Sequence, residues 1–138
     1  MKIKIVGGLF VVLFVVLISC QSDQQIEFNR YYSGGSTIYQ GHCQNCHGTK
    51  GEGLQDLIPP LTDTAYLKIN KNNLTCFIKN GLKENIMVKG RLFEEEMPAE
   101  DLSPIEIAKV LTYITNSFGN KTGTIHLQQV ENDIRKCK

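Results

Sequence analysis

Cys43-Gln44-Asn45-Cys46-His47 holds the residue types and spacing in this chain best suited to chemistry. Two thiols three positions apart, with an imidazole directly after the second, read as the attachment site of a c-type haem. On the last turn of a helix both sulfurs can reach the vinyl groups along one edge of a porphyrin. The histidine after them then turns under the ring and offers a nitrogen to the iron. Three other chemistries compete for the same residues. A zinc ribbon needs a second close ligand pair, and the remaining candidates, Cys76, Cys137, His42 and His126, are isolated from one another. A thioredoxin-like redox pair wants a βαβ setting, and no β-rich run precedes Cys43. A structural disulfide at this spacing is awkward and leaves His47 without a role. Haem attachment alone uses all three residues.

The flanking sequence says where such a cofactor would be loaded. Lys2 and Lys4 precede an almost unbroken apolar run from Ile5 to Ile18, shorter than the roughly 20 residues that span a bilayer. This reads as the core of a secretory signal covering residues 1–19. Leu17-Ile18-Ser19-Cys20 is similar to the bacterial lipobox, which implies cleavage before Cys20 and acylation of that cysteine; the alternative is an uncleaved N-terminal anchor. Either way the chain is expected to be exported and tethered to a bacterial membrane, on the periplasmic face. Among the five cysteines, one is then lipidated and two carry haem. Cys76 and Cys137 remain, and could pair in an oxidising compartment or stay as separate thiols.

Removal of the signal leaves 13 basic against 14 acidic side chains. That balance gives no basic face for nucleic acid. No paired carboxylates, nucleophile–base pair or phosphate-binding loop stands out, so neither a small-molecule substrate nor a catalytic residue is expected. The mature length suits one domain.

The elements around the motif read as short helices. Residues 20–35 are polar with scattered aromatics and read as a linker, punctuated by Ser33-Gly34-Gly35-Ser36. A first helix is expected from Ser36, carrying Tyr39 and Cys43 one turn apart. Gly48, Gly51, Gly53 and Pro59-Pro60 mark a loop. Thr62 or Asp63 could cap a short helix with Ala65, Tyr66 and Ile69 as its apolar positions. Asn72 or Asn73 could start another, with Leu74, Phe77 and Ile78, stopped by Gly81. Residues 82–102 look irregular, apart from a brief alternation at Ile86 and Val88. Ser103-Pro104-Ile105-Glu106 is the clearest start signal in the chain. The helix it opens places Ile107, Ala108, Leu111 and Ile114 on one face, with Val110 and Tyr113 beside them, and Gly119 ends it. A last, weaker helix in residues 121–138 could carry Leu127, Val130 and Ile134.

Together these residues resemble the class I cytochromes c over about residues 33–120. Tyr39, Cys43-x-x-Cys46-His47-Gly48-x-x-Gly51-x-Gly53 and Pro59-Pro60-Leu61 match the first half of the family pattern. Met97-Pro98-Ala99 and Leu102-Ser103-x-x-Glu106-Ile107-Ala108-x-Val110-Leu111-x-Tyr113 match the second. Ile86-x-Val88-x-Gly90 and Asn116-Ser117-Phe118-Gly119-Asn120 are similar to a branch found beside membrane dehydrogenases, oxidases or reductases, with Phe118 in place of that branch's usual tryptophan. The resemblance implies a small all-α fold of four to five short helices around one covalently bound haem c, with residues 36–120 as the cytochrome c domain. It implies thioethers at Cys43 and Cys46 and His47 as an axial ligand. It also implies that the Pro59 carbonyl accepts a hydrogen bond from the other ring nitrogen of His47. Gly35 and Tyr39 match the face of the first helix that crosses the last near Val110 and Tyr113.

For the second axial position the choices are Met87, Met97, His42, His126 or none. His42, beside Cys43, cannot reach the opposite face of the ring. His126 lies beyond the family match, and Met87 sits in an apolar run where methionine serves as filler. Met97, before a proline and just ahead of the Ser103 helix, stands where the family supplies a thioether. His/Met ligation raises the potential and closes the iron to small ligands. The expected function is single-electron transfer with redox proteins as donor and acceptor, either as a free carrier or as a subunit of a dehydrogenase, oxidase or reductase. An open sixth site would instead mean a haem enzyme or gas sensor. Glu94-Glu95-Glu96 could form an acidic docking patch and Lys68, Lys71, Lys79 and Lys83 a basic ring; as solvated charges they would need neither role.

Overall fold

A computed structural model describes residues 22–137. The expected signal region 1–19 and the expected lipidation site Cys20 lie outside the described residues. Within them the order is α1 (Asp23–His42), α2 (Gln44–His47), α3 (Thr64–Ile69), α4 (Leu74–Asn80), β1 (Ile86–Val88), β2 (Arg91–Phe93), α5 (Pro104–Ile114) and α6 (Leu127–Ile134). The result is a small all-α fold with one short hairpin.

The first helix corrects the sequence reading. It starts at Asp23, not Ser36, so the stretch read as a linker is helical from its fourth residue and α1 runs for 20 residues. Ser22 caps it by accepting from the Gln25 amide, and Asp23 places an acid in the first turn, where helix-end amides favour negative charge. The scattered aromatics supply the packing. Tyr31 is buried, and Tyr32 stacks on Phe28 and meets Tyr113 at a tilt, with centroids 5.6 and 5.1 Å away. The glycines read as punctuation sit inside the helix because of what crosses it. A Cβ on Gly35 would lie 2.0 Å from the Lys109 carbonyl oxygen of α5 and 2.8 Å from the Tyr113 Cβ. Glycine is there so that two backbones can touch.

Helix α5 follows its signals closely. The Glu106 carboxylate accepts from the Ser103 amide at 2.9 Å and from its hydroxyl, a capping box that holds the Glu106 carboxyl below its usual range. Ile107, Ala108, Val110, Leu111 and Ile114 are all buried, with α1 against one side of the helix and α4 and α6 against others. The helix ends at Thr115, a turn before the expected stop at Gly119. The chain then folds back because Asn116 binds it. The Asn116 side chain accepts from the amides of Thr122 and Gly123 and donates to the carbonyls of Thr112 and Gly123.

The other short elements differ in detail. Asp63 caps α3, but Leu67 is its buried residue and Ile69 is 83% exposed, the reverse of the expected facing. Helix α4 buries Leu74 and Ile78 and stops at Gly81, as its pattern predicts. The alternation at Ile86 and Val88 is β1, paired antiparallel with β2 in the register Ile86↔Phe93, Met87↔Leu92, Val88↔Arg91. Lys89 and Gly90, both at positive φ, make the two-residue turn such a hairpin favours. On α6 the buried residues are Val130 and Asp133, with Ile134 only partly covered.

Candidate functional site

Helix α2 is the Cys-x-x-Cys-His motif itself. It continues from α1 through Cys43, whose amide donates to the Tyr39 carbonyl at 2.9 Å. Tyr39 is buried and its hydroxyl donates to the Gly48 carbonyl at 2.6 Å, fixing the end of the motif to the α1–α5 crossing. That environment raises the Tyr39 pKa, first by burial, then through nearby Cys43, Tyr113 and Glu52, so the hydroxyl stays a donor. Phe118 packs on Tyr39 and Tyr113 at 5.3 and 5.7 Å. Its ring fills the space beside Gly51, where a Cβ would lie 2.6 Å from a ring carbon.

Cys43, Cys46 and His47 open onto a cavity walled by Leu57–Leu61, by Tyr66, Leu67, Leu74, Phe77 and Ile78, by Ile86, Val88 and Phe93, by residues 95–98, and by Leu111 and Ile114 of α5. The lining is almost wholly apolar. Its charged members, apart from His47, are Glu95 and Glu96, both exposed. Burial lowers the His47 pKa, opposed only by its hydrogen bond to Pro59, which favours the neutral imidazole that binds metals. Its Nδ1 lies 3.1 Å from the Pro59 carbonyl oxygen, leaving Nε2 as the nitrogen free to act as a ligand. Cys43 and Cys46 are free thiols. Burial, with added repulsion from Glu100 and Cys46, pushes the Cys43 pKa up to about 12, so the thiol is neutral in the empty cavity.

The structure separates the candidates for the second axial ligand. Met97 lines the cavity and is partly buried. Its amide and carbonyl pair with those of Leu82, both at 2.9 Å, and Gly81 lets that segment close, since a Cβ there would lie 2.6 Å from the Met97 carbonyl oxygen. Met87 is 58% exposed and does not line the cavity. His42 lies outside it with Nδ1 2.9 Å from Glu100 Oε2. His126 is exposed beside Glu27 at 3.4 Å. Lys68, Lys71, Lys79 and Lys83 do not line the cavity either. Cys76 and Cys137 are joined as a disulfide, with Cα atoms 5.4 Å apart, which fastens the end of α6 to α4. Among the described residues no three His, Cys, Asp or Glu side chains form a group that could cage a metal ion.

These residues fit a haem. A flat apolar macrocycle matches an apolar cavity, two neutral thiols stand beside the imidazole, and that imidazole is favoured neutral by burial and oriented by a backbone carbonyl.

A model of the cytochrome c family matches residues 32–117. The chain belongs to the cytochrome c family. The fructose dehydrogenase cytochrome subunit of Gluconobacter japonicus is 26% identical over 102 residues, covering 70% of this chain and 21% of that protein. This cytochrome therefore spans about a fifth of the length of the curated relative it matches.

One residue of this cytochrome's site had no role assigned from sequence. Asn120 is buried, and its side-chain amide donates to the carbonyls of Leu61 and Ile114 at 2.9 and 3.1 Å while its oxygen accepts from Thr64. It thereby ties the loop carrying Pro59 to the end of α5. The Ser-Phe-Gly-Asn run contained the residue but gave no sign of partners 59 positions away.

Proposed function

We propose that this cytochrome is a single-electron carrier holding one covalently attached haem c, with Cys43 and Cys46 as its thioether residues and His47 and Met97 as its axial ligands. The observation that carries this is the apolar cavity onto which all four side chains open, with the His47 ring oriented by Pro59. Bound there, a haem supplies an iron that exchanges one electron between ferric and ferrous states. The chain's part is to keep that exchange free of bond-making. His47 is held in one orientation, Met97 blocks small ligands, and the apolar walls exclude water. The surface near Cys43 and Cys46, where Cys46 is exposed, is where a redox partner comes closest.

The expected setting is the outer side of a bacterial membrane, through a lipid on Cys20. Among the described residues no helix is long and apolar enough to cross a membrane, so this part of the proposal rests on the apolar run and Leu-Ile-Ser-Cys of residues 5–20. A tether there would confine the search for partners to the membrane plane and raise effective concentration. Similarity to a dehydrogenase's cytochrome subunit supports a second reading, in which this chain serves as the electron-transfer part of such a complex; co-purification with a dehydrogenase distinguishes it from a free carrier.

The deciding experiment is an absorption spectrum of protein matured with covalent haem, ferric and then ferrous under carbon monoxide. A far-red sulfur-to-iron band that Met97→Ala abolishes, with no carbon monoxide shift at equilibrium in the wild type, supports electron transfer with His/Met ligation. A strong carbon monoxide complex in the wild type moves the reading to a haem enzyme or sensor. Failure to attach haem at all reopens Cys43 and Cys46 as a redox pair.

A further inference from the structure

The two cavity walls that carry His47 and Met97 come from distant parts of the chain. The backbone ties found on the Met97 segment all run to one side of it. Met97 pairs with Leu82, and the Glu100 amide donates to the Ile78 carbonyl at 2.9 Å; both hold the segment to the end of α4. The tie in the other direction is made by side chains. His42, the last residue of α1 and the neighbour of Cys43, places Nδ1 2.9 Å from Glu100 Oε2, across 58 residues of sequence. The pair is partly screened, with the Glu100 side chain 24% and the His42 side chain 44% exposed. The Glu100 carboxylate also lies near enough to Cys43 to help raise its thiol pKa.

We propose that the His42–Glu100 hydrogen bond is a clamp across the Cys43 edge of the cavity, holding the Met97 segment against the motif that carries His47. The two are positioning residues: neither lines the cavity, and each acts through the backbone next to it. An Nδ1–H donates to a carboxylate whether the ring is neutral or cationic, so the clamp needs geometry more than charge. It rests on the reading of Met97 as an axial ligand, because its consequence is how often Met97 swings away. Loss of a partly exposed pair of this kind should raise the open population about twofold to fivefold.

The test uses the haem-loaded protein and two readouts: the rate at which carbon monoxide captures the ferrous form through transient Met97 departure, and amide hydrogen exchange at Met97 and Glu100. Glu100→Ala and His42→Ala should each accelerate both about twofold to fivefold, and the double variant should add little, because both substitutions remove the same bond. His42→Asn, which puts an amide N–H near the place of Nδ1, should restore near wild-type rates. Wild-type rates in Glu100→Ala, full additivity in the double variant, or no rescue by asparagine would each overturn the clamp. A wild type lacking the far-red band would instead overturn Met97 ligation. Exchange at the Met97 and Glu100 amides then decides the clamp by itself, and no change in Glu100→Ala counts against it.

Discussion

The His47 side of the cavity and the Met97 side are built by different means. On the first, α1 and α5 meet backbone to backbone at Gly35, the rings of Tyr39, Tyr113 and Phe118 close over the crossing, and Tyr39, Pro59 and Asn120 each fix part of the motif or its loop. On the second, the chain runs through two three-residue strands, one backbone bridge at Leu82–Met97 and a disulfide that anchors α4. The place of His47 is set by many packed contacts acting together. The place of Met97 is set by a few discrete ties. Substitutions on the first side should therefore be felt in global stability, and those on the second at identifiable ties.

The strongest of those ties is the largest expected effect. The Cys76–Cys137 bond closes 61 residues of sequence and fastens a tail helix that buries only Val130 and Asp133. Asp133 cannot compensate for its loss: one of its carboxylate oxygens is buried with no partner, and the other lies 3.8 Å from Lys136. Replacing both cysteines with serine should cost about 3 kcal/mol, chiefly by freeing the unfolded chain. Denaturant unfolding of the haem-loaded protein measures this. A midpoint equal to wild type would mean the Met97 side is supported by packing after all.

The matching perturbation on the His47 side is Gly35→Ala, where two effects oppose each other. Alanine should stabilise a helix by about 1 kcal/mol over glycine, yet its Cβ would lie 2.0 Å from a backbone oxygen that no rotamer change can move. Overpacking of that kind costs about 3 kcal/mol, so a net loss of about 2 kcal/mol is expected. Gly41→Ala is the control in the same helix, with nothing within 4 Å of its would-be Cβ, and should gain about 0.5 kcal/mol. Paired thermal unfolding of the two variants reads the difference. If both gain, the α1–α5 approach is looser than the geometry implies.

What was legible in the sequence follows the same division. Features carried by local chemistry could be read: the Ser103–Glu106 capping box, Gly81 after α4, the alternation at Ile86 and Val88, and the placing of Cys43, Cys46 and His47 together on one cavity. The start of α1 could not, because Gly34-Gly35 is a breaker by local propensity; the family resemblance alone puts Gly35 on the crossing face, where the Lys109 carbonyl oxygen meets it. The six residues of α3 are too few to show which face is buried: the pattern suggests Ile69, while the structure buries Leu67. At the site, Pro59 and Met97 are named by the family resemblance, each from its own short segment, Pro59-Pro60-Leu61 and Met97-Pro98-Ala99. The bonds of Asn120 to Leu61 and of His42 to Glu100 join positions 59 and 58 residues apart and exist only in the folded chain.

The smallest expected effect tests the Met97 side at its least supported point. Met87 and Leu92 face each other across the hairpin and are 58% and 50% exposed, while Val88 and Phe93 on the neighbouring positions are buried. The hairpin is thus held by Val88 and Phe93 on its cavity face, with Arg91–Asp56 as an exposed ion pair at its end. Met87→Ser removes only a solvent-side cross-strand contact and should change stability by less than about 0.5 kcal/mol. The far-red sulfur-to-iron band should persist at wild-type intensity, in contrast to its loss in Met97→Ala. A band lost in Met87→Ser but kept in Met97→Ala would require the hairpin to turn over when haem binds, burying Met87 and exposing Val88. A one-residue change of register could do that, since successive residues of a strand point to opposite faces. The buried pair Val88 and Phe93 is what opposes such a slip, so the spectrum of Met87→Ser also tests whether those two side chains fix the hairpin's register in the loaded protein.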